Sequence, residues 1–235
     1  MNKKTYIGSE LELFSQAHNW KDYYSHLMKP YLGSNVLEVG AGIGTTTRSL
    51  CKGKQRTWIC LEPDPILADQ IQRLINRKNL PKCCEVRTGT LVDLKPIELY
   101  DTIIYVDVLE HIQDDIAEVK LATQHLKNKG NLIVLAPAHQ QLFTPFDQAI
   151  GHYRRYDKYM LVSVIPENLK CIRLSYLDSV GLIATLANRF ILKSKMPSQN
   201  QILVWDKFMV PTSKFLDSLV QYSLGKSILG IWQKY

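Results

Sequence analysis

The residues with the clearest potential for ligand binding form a glycine-rich turn near the start of the chain. Residues 36–48 read VLEVGAGIGTTTR, an apolar strand that runs into three alternating glycines, Gly40, Gly42 and Gly44. Glycines let a ligand approach the backbone closely, and the N-terminus of the following helix offers free N–H groups. The spacing is G-x-G-x-G, one residue short of the G-x-G-x-x-G of dinucleotide sites, which weakens the interpretation as a pyrophosphate site.

Acidic side chains stand where two later strands are predicted to end. Glu62, in CLEPDP, lies 22 residues after Gly40 (62 − 40) and could accept hydrogen bonds from both hydroxyls of a ribose; a solvated surface acid is the alternative. Asp107, in VDVLEHI, ends the fourth strand, where open parallel sheets bind ligands. Glu110 and His111 begin the next helix, and His111 is either a cofactor contact or a structural histidine.

The spacing of apolar residues predicts the sheet that positions these side chains. Nearly continuous apolar strands, such as NVLEVG, RTWICLEP, YDTIIYVDV and NLIVLAP, alternate with amphipathic helices, a pattern typical of a parallel sheet covered on both faces. One predicted helix begins at the N-cap Asp64, and another, DDIAEVKLATQHLKNKG, ends at Gly130. Residues 10–32 have a helical pattern that Pro30 ends, and SILGIWQKY predicts a last strand.

Taken together, these segments resemble the class I S-adenosylmethionine-dependent methyltransferases. LEVGAGIG is similar to their first motif, LEPDP to their ribose-binding segment and DVLEHI to the segment after their fourth strand. The resemblance covers nearly the whole chain. It implies a Rossmann-like α/β fold with a seven-stranded, mostly parallel sheet, helices on both faces, and a last strand that is inserted as an antiparallel hairpin. S-adenosylmethionine, with S-adenosylhomocysteine as the product, is the implied cofactor.

The resemblance also implies which residues hold that cofactor. They are Glu38, Gly40, Gly42, Gly44, Glu62, Pro63, Thr90, Leu91, Asp107 and His111. The glycine turn would border the methionine part, Glu62 would bind the ribose, and Asp107 would lie in the ammonium region. Thr90 and Leu91 would lie on the adenine side. Many relatives carry an acidic residue where Thr90 stands, so this chain would use backbone or hydroxyl groups there.

The segment FTPFDQAIGHYRRYDK would face the methyl acceptor in this fold. Its GHYRRY stretch resembles a bacterial group of methyltransferases associated with glycans and natural products. His152 is the predicted general base, with a structural hydrogen bond as the alternative. Tyr153, Arg154, Arg155 and Tyr156 are the predicted substrate-binding residues, because adjacent arginines can hold a carboxylate or phosphate. Alternatively, the two arginines pair with Asp147 or Asp157 and order the loop.

The chain is read as one domain over residues 1–235, with an N-terminal helical segment at 1–32. A helical insertion is predicted between the last two strands, at residues 179–225. Its composition is apolar with basic residues at intervals. We expect it to form a lid over a partly apolar substrate. A membrane-contacting surface, a homodimer interface and plain helix packing are the alternatives.

Composition and charge limit which cellular compartment and which classes of partner we expect. The net charge of +7 permits an acidic substrate, nucleic acid or an anionic surface. The five cysteines include no C-x-x-C, which predicts buried thiols in a reducing compartment and no metal site. The first residues lack an apolar signal-peptide region, and no apolar run approaches the length that spans a bilayer. We therefore expect a cytoplasmic protein without stable membrane insertion.

The sequence thus predicts an enzyme that methylates an oxygen, carboxylate or hydroxyl, of a small acidic and partly apolar metabolite. N-methylation of a small molecule or peptide is the near alternative, and a non-catalytic binding protein is a further one. Nucleic acid is not expected as a partner, because Asp107 is not followed by the Pro-Pro-aromatic motif of base methylases and no strong basic run is present. The third glycine comes one residue earlier than in dinucleotide-binding sites, which argues against an oxidoreductase.

Overall fold

The computed structural model describes residues 10–187 and 198–235, and a seven-stranded sheet forms its centre. The strands are β1 Asn35–Val39, β2 Thr57–Glu62, β3 Cys84–Thr88, β4 Tyr100–Val106, β5 Leu126–Pro137, β6 Leu169–Leu177 and β7 Ser227–Lys234. They lie in the order β3-β2-β1-β4-β5-β7-β6. The first five pair in parallel, whereas β7 lies antiparallel between β5 and β6. The predicted fold class is confirmed.

Helices cover both faces of the sheet. They are α1 Glu10–Ser15, α2 His18–Met28, α3 Thr45–Leu50, α4 Pro65–Asn76, α5 Asp115–Gln124, α6 Pro145–Ala149, α7 Lys158–Ser163, α8 Ser179–Ala187, α9 Gln199–Val204 and α10 Val210–Leu219. A π-helical turn, Trp205–Met209, joins α9 to α10 without a break. We call α8, α9, this turn and α10 the helical cover.

Alternate residues of the central strands enter two separate cores. Leu37 of β1 and Ile103 of β4 are fully buried in the core on one face. Their neighbours Val36 and Ile104 are fully buried in the core on the other face. Because both faces are dry, the strands can be apolar throughout, which is why they appear as continuous runs in the sequence.

Helix α5 ends earlier than the sequence predicts. It stops at Gln124, and Gly130 lies inside β5 instead of closing the helix. The backbone N–H of Tyr100 already donates to the carbonyl of His125 at 2.8 Å, and Leu126 pairs with Tyr100. The polar residues after Leu126 form an irregularity in the strand register. Polar residues followed by glycine resemble a helix C-terminus, and this similarity misled the prediction.

The two predicted helical segments are each divided in the structure. The N-terminal segment contains α1 and α2, separated at Ala17, and then a 3-10 turn at Lys29–Tyr31 that includes Pro30. The insertion lies between β6 and β7, as predicted, and its described part is the helical cover. Residues 1–9 and 188–197 of these two segments lie outside the described residues.

Three thiols meet beside α3, far apart in sequence. The sulfur of Cys51 lies 3.6 Å from that of Cys83 and 3.5 Å from that of Cys84. Cys51 is 32 residues from Cys83 in sequence, so only the fold brings these thiols together. Among the described helices, none combines the length and hydropathy that a bilayer-spanning segment requires.

Candidate active site

A cavity of about 700 Å³ opens at the carboxyl ends of β1 and β4. Strand β1 lies between β2 and β4, so consecutive connections leave it toward opposite sides, and open α/β sheets bind their ligands at such a point. The glycine turn, the segment after β4, the loop after β5 and the helical cover all contribute to its wall. Parts of the predicted cofactor and acceptor sites therefore share one cavity: Gly40, Gly42, Asp107 and His111 line it together with His152 and Arg155.

The glycine turn has a backbone conformation that other residues adopt only with strain. Gly40, Gly42 and Gly44 have φ angles of +65°, +57° and +76°. Gly40 and Gly42 line the cavity. A Cβ atom on Gly40 would lie 2.7 Å from the side chain of Val108. Gly44 faces the core instead, where a Cβ atom would lie 3.4 Å from Ile71.

Glu62 holds the glycine turn against the start of α4. Its two carboxylate oxygens accept the N–H groups of Gly42 at 2.7 Å and of Asp64 at 3.0 Å. Asp64 itself caps α4, as predicted, by accepting the N–H of Ile66 at 2.7 Å. Burial raises the pKa of Glu62. These bonds use two of the roughly four acceptor positions of the carboxylate. Glu62 is 5% exposed and, unlike Gly42, is not among the described residues that line the cavity.

Glu38 supports the turn from inside the protein. One of its oxygens accepts hydrogen bonds from the hydroxyl of Thr47 at 2.7 Å and the indole of Trp58 at 2.8 Å. Burial raises the pKa of Glu38 to about 7, although these two hydrogen bonds oppose the shift. The side chain is 2% exposed and ties β1 to α3 and β2. This position gives Glu38 a supporting role behind the cavity.

The residues predicted for the adenine side lie beyond the described lining of the cavity. Thr90 is exposed, and its N–H and hydroxyl both bond Asp93, at 2.8 and 3.2 Å. Leu91 is buried in the core, and Pro63 is exposed next to Glu62. They therefore follow the carboxyl ends of β2 and β3, on the side of β1 away from β4.

Asp107 presents a carboxylate to the cavity from a constrained backbone. Its φ angle is +53°, and its N–H donates to the carbonyl of Leu135 at 2.9 Å. The side chain is accessible from the cavity, yet desolvation by the surrounding protein raises its pKa to about 6, and the positive charges of Lys226 and Lys21 oppose this shift. A cationic group of a ligand would find its counter-charge here.

Asp147 organises the acceptor-side loop. Its oxygens accept both N–H and O–H of Thr144, at 2.7 and 2.6 Å, and the guanidinium of Arg155 at 2.8 and 2.9 Å. The Nδ1 atom of His152 lies 3.1 Å from the carboxylate. Burial alone would raise the pKa of Asp147, but His152 and Arg155 hold it well below its usual range. An ionised carboxylate only accepts, so Nδ1 carries a hydrogen, and in the neutral form of the ring Nε2 then has the lone pair.

The structure divides the five predicted acceptor residues. His152 and Arg155 line the cavity, whereas the other three lie away from its described lining. Arg154 pairs with Asp115 and donates to the carbonyl of Gln113. Tyr156 is fully buried, and its hydroxyl donates to Asp115 at 2.7 Å. Tyr153 is 43% exposed.

The alternative that the arginines order the loop fits most of these contacts. Arg155 pairs with Asp147, as that alternative anticipated, and Arg154 pairs with an aspartate of α5. Each guanidinium thus has an ionised partner of its own. Only Arg155 also reaches the cavity wall, so a contact of Arg154 or Tyr156 with substrate receives no support from their positions.

Sequence reasoning missed the cavity-lining lysines. Lys226 precedes β7, which runs antiparallel, so its start meets the carboxyl end of β5 at the cavity edge. The Lys226 ammonium lies 3.8 Å from Asp178 and 4.0 Å from the ring centre of Trp205, and burial lowers its pKa. Lys21 of α2 also lines the cavity, and burial lowers its pKa to about 8. The predicted antiparallel last strand was the signal that could have located Lys226.

Buried aspartates attach the helical cover to the sheet. Asp178, after β6, accepts the indole N–H of Trp205 and the hydroxyl of Ser213, both at 2.7 Å. Asp217 of α10 accepts the hydroxyl of Tyr23 at 2.7 Å and the N–H of Ser179 at 3.0 Å. These bonds fix α8 and α10 over the cavity, so the cover is an ordered wall.

Comparison with known proteins gives a family. A family model described as a methyltransferase domain matches residues 14–169. Uncharacterised methyltransferases of Bacillus cereus (strain 03BB102) and Bacillus anthracis (strain A0248) are each 28% identical over 130 residues. The alignments cover 55% of this chain and 58% of each relative, so the match spans little more than half the length of these relatives.

Solved structures share the fold at low identity. Coclaurine N-methyltransferase, bound to N-methylheliamine and S-adenosylhomocysteine, is 13% identical with a TM-score of 0.63, covering 93% of this chain and 72% of that one. An S-adenosylmethionine-dependent methyltransferase from Clostridium acetobutylicum is 12% identical with a TM-score of 0.59. That match covers 93% of this chain and 92% of the other. The cyclase SpnF is 12% identical with a TM-score of 0.63, and the match covers 91% of this chain and 81% of that one. The same architecture therefore serves more than one reaction.

Proposed function

The chain belongs to the methyltransferase domain family, and we propose that it moves a methyl group from S-adenosylmethionine to an oxygen of a small, acidic, partly apolar acceptor. One observation carries the proposal: the glycine turn and the His152 loop line the same cavity, of about 700 Å³. That volume is within the range of sites for small molecules and cofactors.

The residues at the glycine end fit the cofactor. Gly40 and Gly42 leave room for its amino-acid part, and the Asp107 carboxylate suits its ammonium group. Glu62 accepts the N–H of Gly42 beside this lining, and a carboxylate with two bonds made keeps acceptor positions for ribose hydroxyls. The cofactor carries no phosphate, so the turn has no need of the longer dinucleotide spacing. When bound, it supplies a methyl group on a sulfonium that is already a good leaving group.

Other residues of the cavity lining fit an acidic and partly apolar acceptor. Arg155 and Lys226 supply positive charge, while Trp20, Phe146 and Trp205 supply apolar surface. The chain's main tasks are then to align the acceptor with the methyl group and to exclude water. A carboxylate acceptor needs no base. A hydroxyl acceptor can pass its proton to Nε2 of His152, because Asp147 holds the hydrogen on Nδ1.

Calorimetric titration with S-adenosylhomocysteine tests the cofactor half of the proposal. We expect wild-type protein to bind and Glu62→Gln to bind roughly 10- to 100-fold more weakly, since a hydrogen bond to a charged group contributes about 1.5–3 kcal/mol. Glu85→Gln, at an exposed position of β3, is the matched control. Equal affinities for both variants would remove the ribose assignment, and no binding by the wild type would overturn the proposal.

Transfer of a labelled methyl group tests the acceptor half. The protein is incubated with methyl-labelled S-adenosylmethionine and pooled small carboxylic acids, alcohols and amines, and the products are then treated with mild alkali. Release of labelled methanol identifies a methyl ester and a carboxylate acceptor. Alkali-stable label in an amine-containing product would favour the N-methylation alternative, and cofactor binding without any transfer would favour the non-catalytic one.

A further inference from the structure

Glu110 is a buried carboxylate with no hydrogen-bond partner among the described residues. It is 0% exposed, and neither Oε1 nor Oε2 has a donor within bonding distance. The Nε2 atom of His152 lies 3.8 Å from Oε1. Burying an unpaired carboxylate is costly, so such a group calls for a ligand that the protein itself does not supply.

Two imidazoles converge on the same point. Ligand atoms of Glu110, His111 and His152 all lie within 4.8 Å of one another, and the two rings meet edge to face with their centres 4.5 Å apart. Nitrogen and oxygen ligands about 2.1 Å from a metal ion lie up to roughly 4.2 Å apart, so small rotations of these side chains bring all three to one ion. All three residues line the cavity.

The imidazole of His152 is already oriented by a second group. The ionised Asp147 accepts the Nδ1–H of His152 and is itself fixed by Arg155 and Thr144. The Nδ1 atom of His111 faces Gly151, where a Cβ atom would lie 3.7 Å from it. A carboxylate or carbonyl on the outer nitrogen is how proteins orient a metal-binding histidine and keep its inner nitrogen free. The Glu110 carbonyl also accepts the N–H of Tyr153 at 2.8 Å, which joins the two segments.

We propose that Glu110, His111 and His152 bind a divalent transition-metal ion in the wall of the cavity. Two imidazoles and one carboxylate are a ligand set suited to Zn²⁺ and its neighbours, and three protein ligands leave positions open toward the cavity. Its role rests on the proposed function: the ion would hold an oxygen atom of the acceptor. In the metal-bound protein the lone pair of His152 is a ligand, and the acceptor binds beside it.

Cobalt(II) is the probe that separates this site from the thiols of Cys51, Cys83 and Cys84. The full chain is freed of metal, and Co²⁺ is titrated while the visible and near-ultraviolet spectrum is recorded. We expect visible bands without thiolate charge transfer, and these should persist in Cys51→Ser. The affinity for Co²⁺ should fall at least tenfold in Glu110→Gln and in His152→Ala. It should fall 10- to 100-fold in Asp147→Asn.

Controls keep the outcome clear. His26→Ala, at an exposed histidine of α2, should bind Co²⁺ like the wild type. Circular dichroism and thermal melting confirm that each variant is folded. Titration with S-adenosylhomocysteine in the absence of metal reports on the proposed function separately. Cobalt binding that depends on Cys51 alone, or that Glu110→Gln leaves unchanged in a folded protein, would overturn the inference.

Discussion

Buried carboxylates of this site differ in what stabilises them. Asp147 is surrounded by donors and stays ionised, whereas Glu38 accepts only two neutral hydrogen bonds on one oxygen. Burial raises the pKa of Glu38 to about 7. The folded state therefore binds a proton at Glu38 more tightly than the unfolded chain, whose glutamates titrate near their ordinary value.

This difference predicts a dependence of stability on pH. The stabilising contribution of Glu38 is fully present below its unfolded pKa and is lost as the pH rises through about 7. Glutamine can accept both bonds on its one oxygen and has no proton to lose. We expect Glu38→Gln to be more stable than the wild type at pH 8, by at most about 3 kcal/mol, and this difference to shrink as the pH falls toward 5.

Urea unfolding between pH 5 and pH 8 measures this difference. Glu85→Gln, at an exposed position, controls for the loss of one charge and should unfold with the same pH profile as the wild type. If the profiles of Glu38→Gln and wild type run parallel over this range, Glu38 keeps its ordinary pKa in the folded protein.

For single residues, the sequence predicted where a side chain lies better than it predicted which side chain bonds it. The placement of Glu62 and Asp107 follows from strand ends and glycine spacing, which are local. The partners of Arg154 and Arg155 follow from tertiary packing, which brings Asp115 and Asp147 beside them. The unpaired state of Glu110 also depends on what surrounds it in space, so no spacing in the sequence could reveal it.

At the scale of elements, α2 depends on the helical cover for its N-terminus. Its N-cap residue, Ala17, has no side chain that can accept a hydrogen bond. Asp206, in the π-helical turn, accepts instead the N–H of Trp20 at 2.9 Å and the N–H of Asn19 at 3.1 Å. A helix start leaves such N–H groups unpaired and favours a negative charge nearby. One aspartate thus caps a helix that lies nearly 190 positions earlier in the chain.

Removal of this cap should loosen the wall of the cavity. We expect Asp206→Ala to lower the unfolding free energy by about 1–2 kcal/mol, the usual cost of a lost cap. For a chain of this length that corresponds to a fall in Tm of roughly 2–8 °C. Thermal unfolding followed by circular dichroism measures it.

The neighbouring Lys207 provides the control. It is exposed in the same turn, so Lys207→Ala should leave the Tm nearly unchanged. Equal values of Tm for wild type and Asp206→Ala would show that the cap contributes no net stability. The helical pattern of both segments could be predicted from apolar spacing, but this contact could not, because it joins two elements through one side chain.

At the scale of the whole molecule, the outer side of the helical cover is unusually apolar. Ile183, Phe208, Phe215 and Leu219 are each at least 60% exposed. Exposed apolar side chains in such number are typical of an interaction surface. We propose that this face forms a homodimer, with Phe208 and Phe215 at its contact.

Sedimentation velocity over a range of concentrations tests the dimer. We expect a dimer for the wild type and a shift to monomer for the double variant Phe208→Ser/Phe215→Ser. Ile97→Ser changes an apolar residue that is 84% exposed elsewhere on the protein and should remain dimeric. If the wild-type protein is monomeric at every concentration, this face does not form a homodimer and contacts another partner or solvent.

The position of β7 between β5 and β6 has a consequence for how the protein is made. Among the described strands β6 lies at the end of the sheet and pairs with β7 alone, yet 57 residues separate the end of β6 from the end of β7 (234 − 177). A ribosome adds about 5–20 residues per second, so β6 waits roughly 3–11 s for its neighbour. Throughout that interval the nascent chain carries an unpaired strand, which is a template for aggregation. Completion of the sheet therefore follows the synthesis of β6 only after that interval, during which chaperones that shield open strand edges would act on this chain.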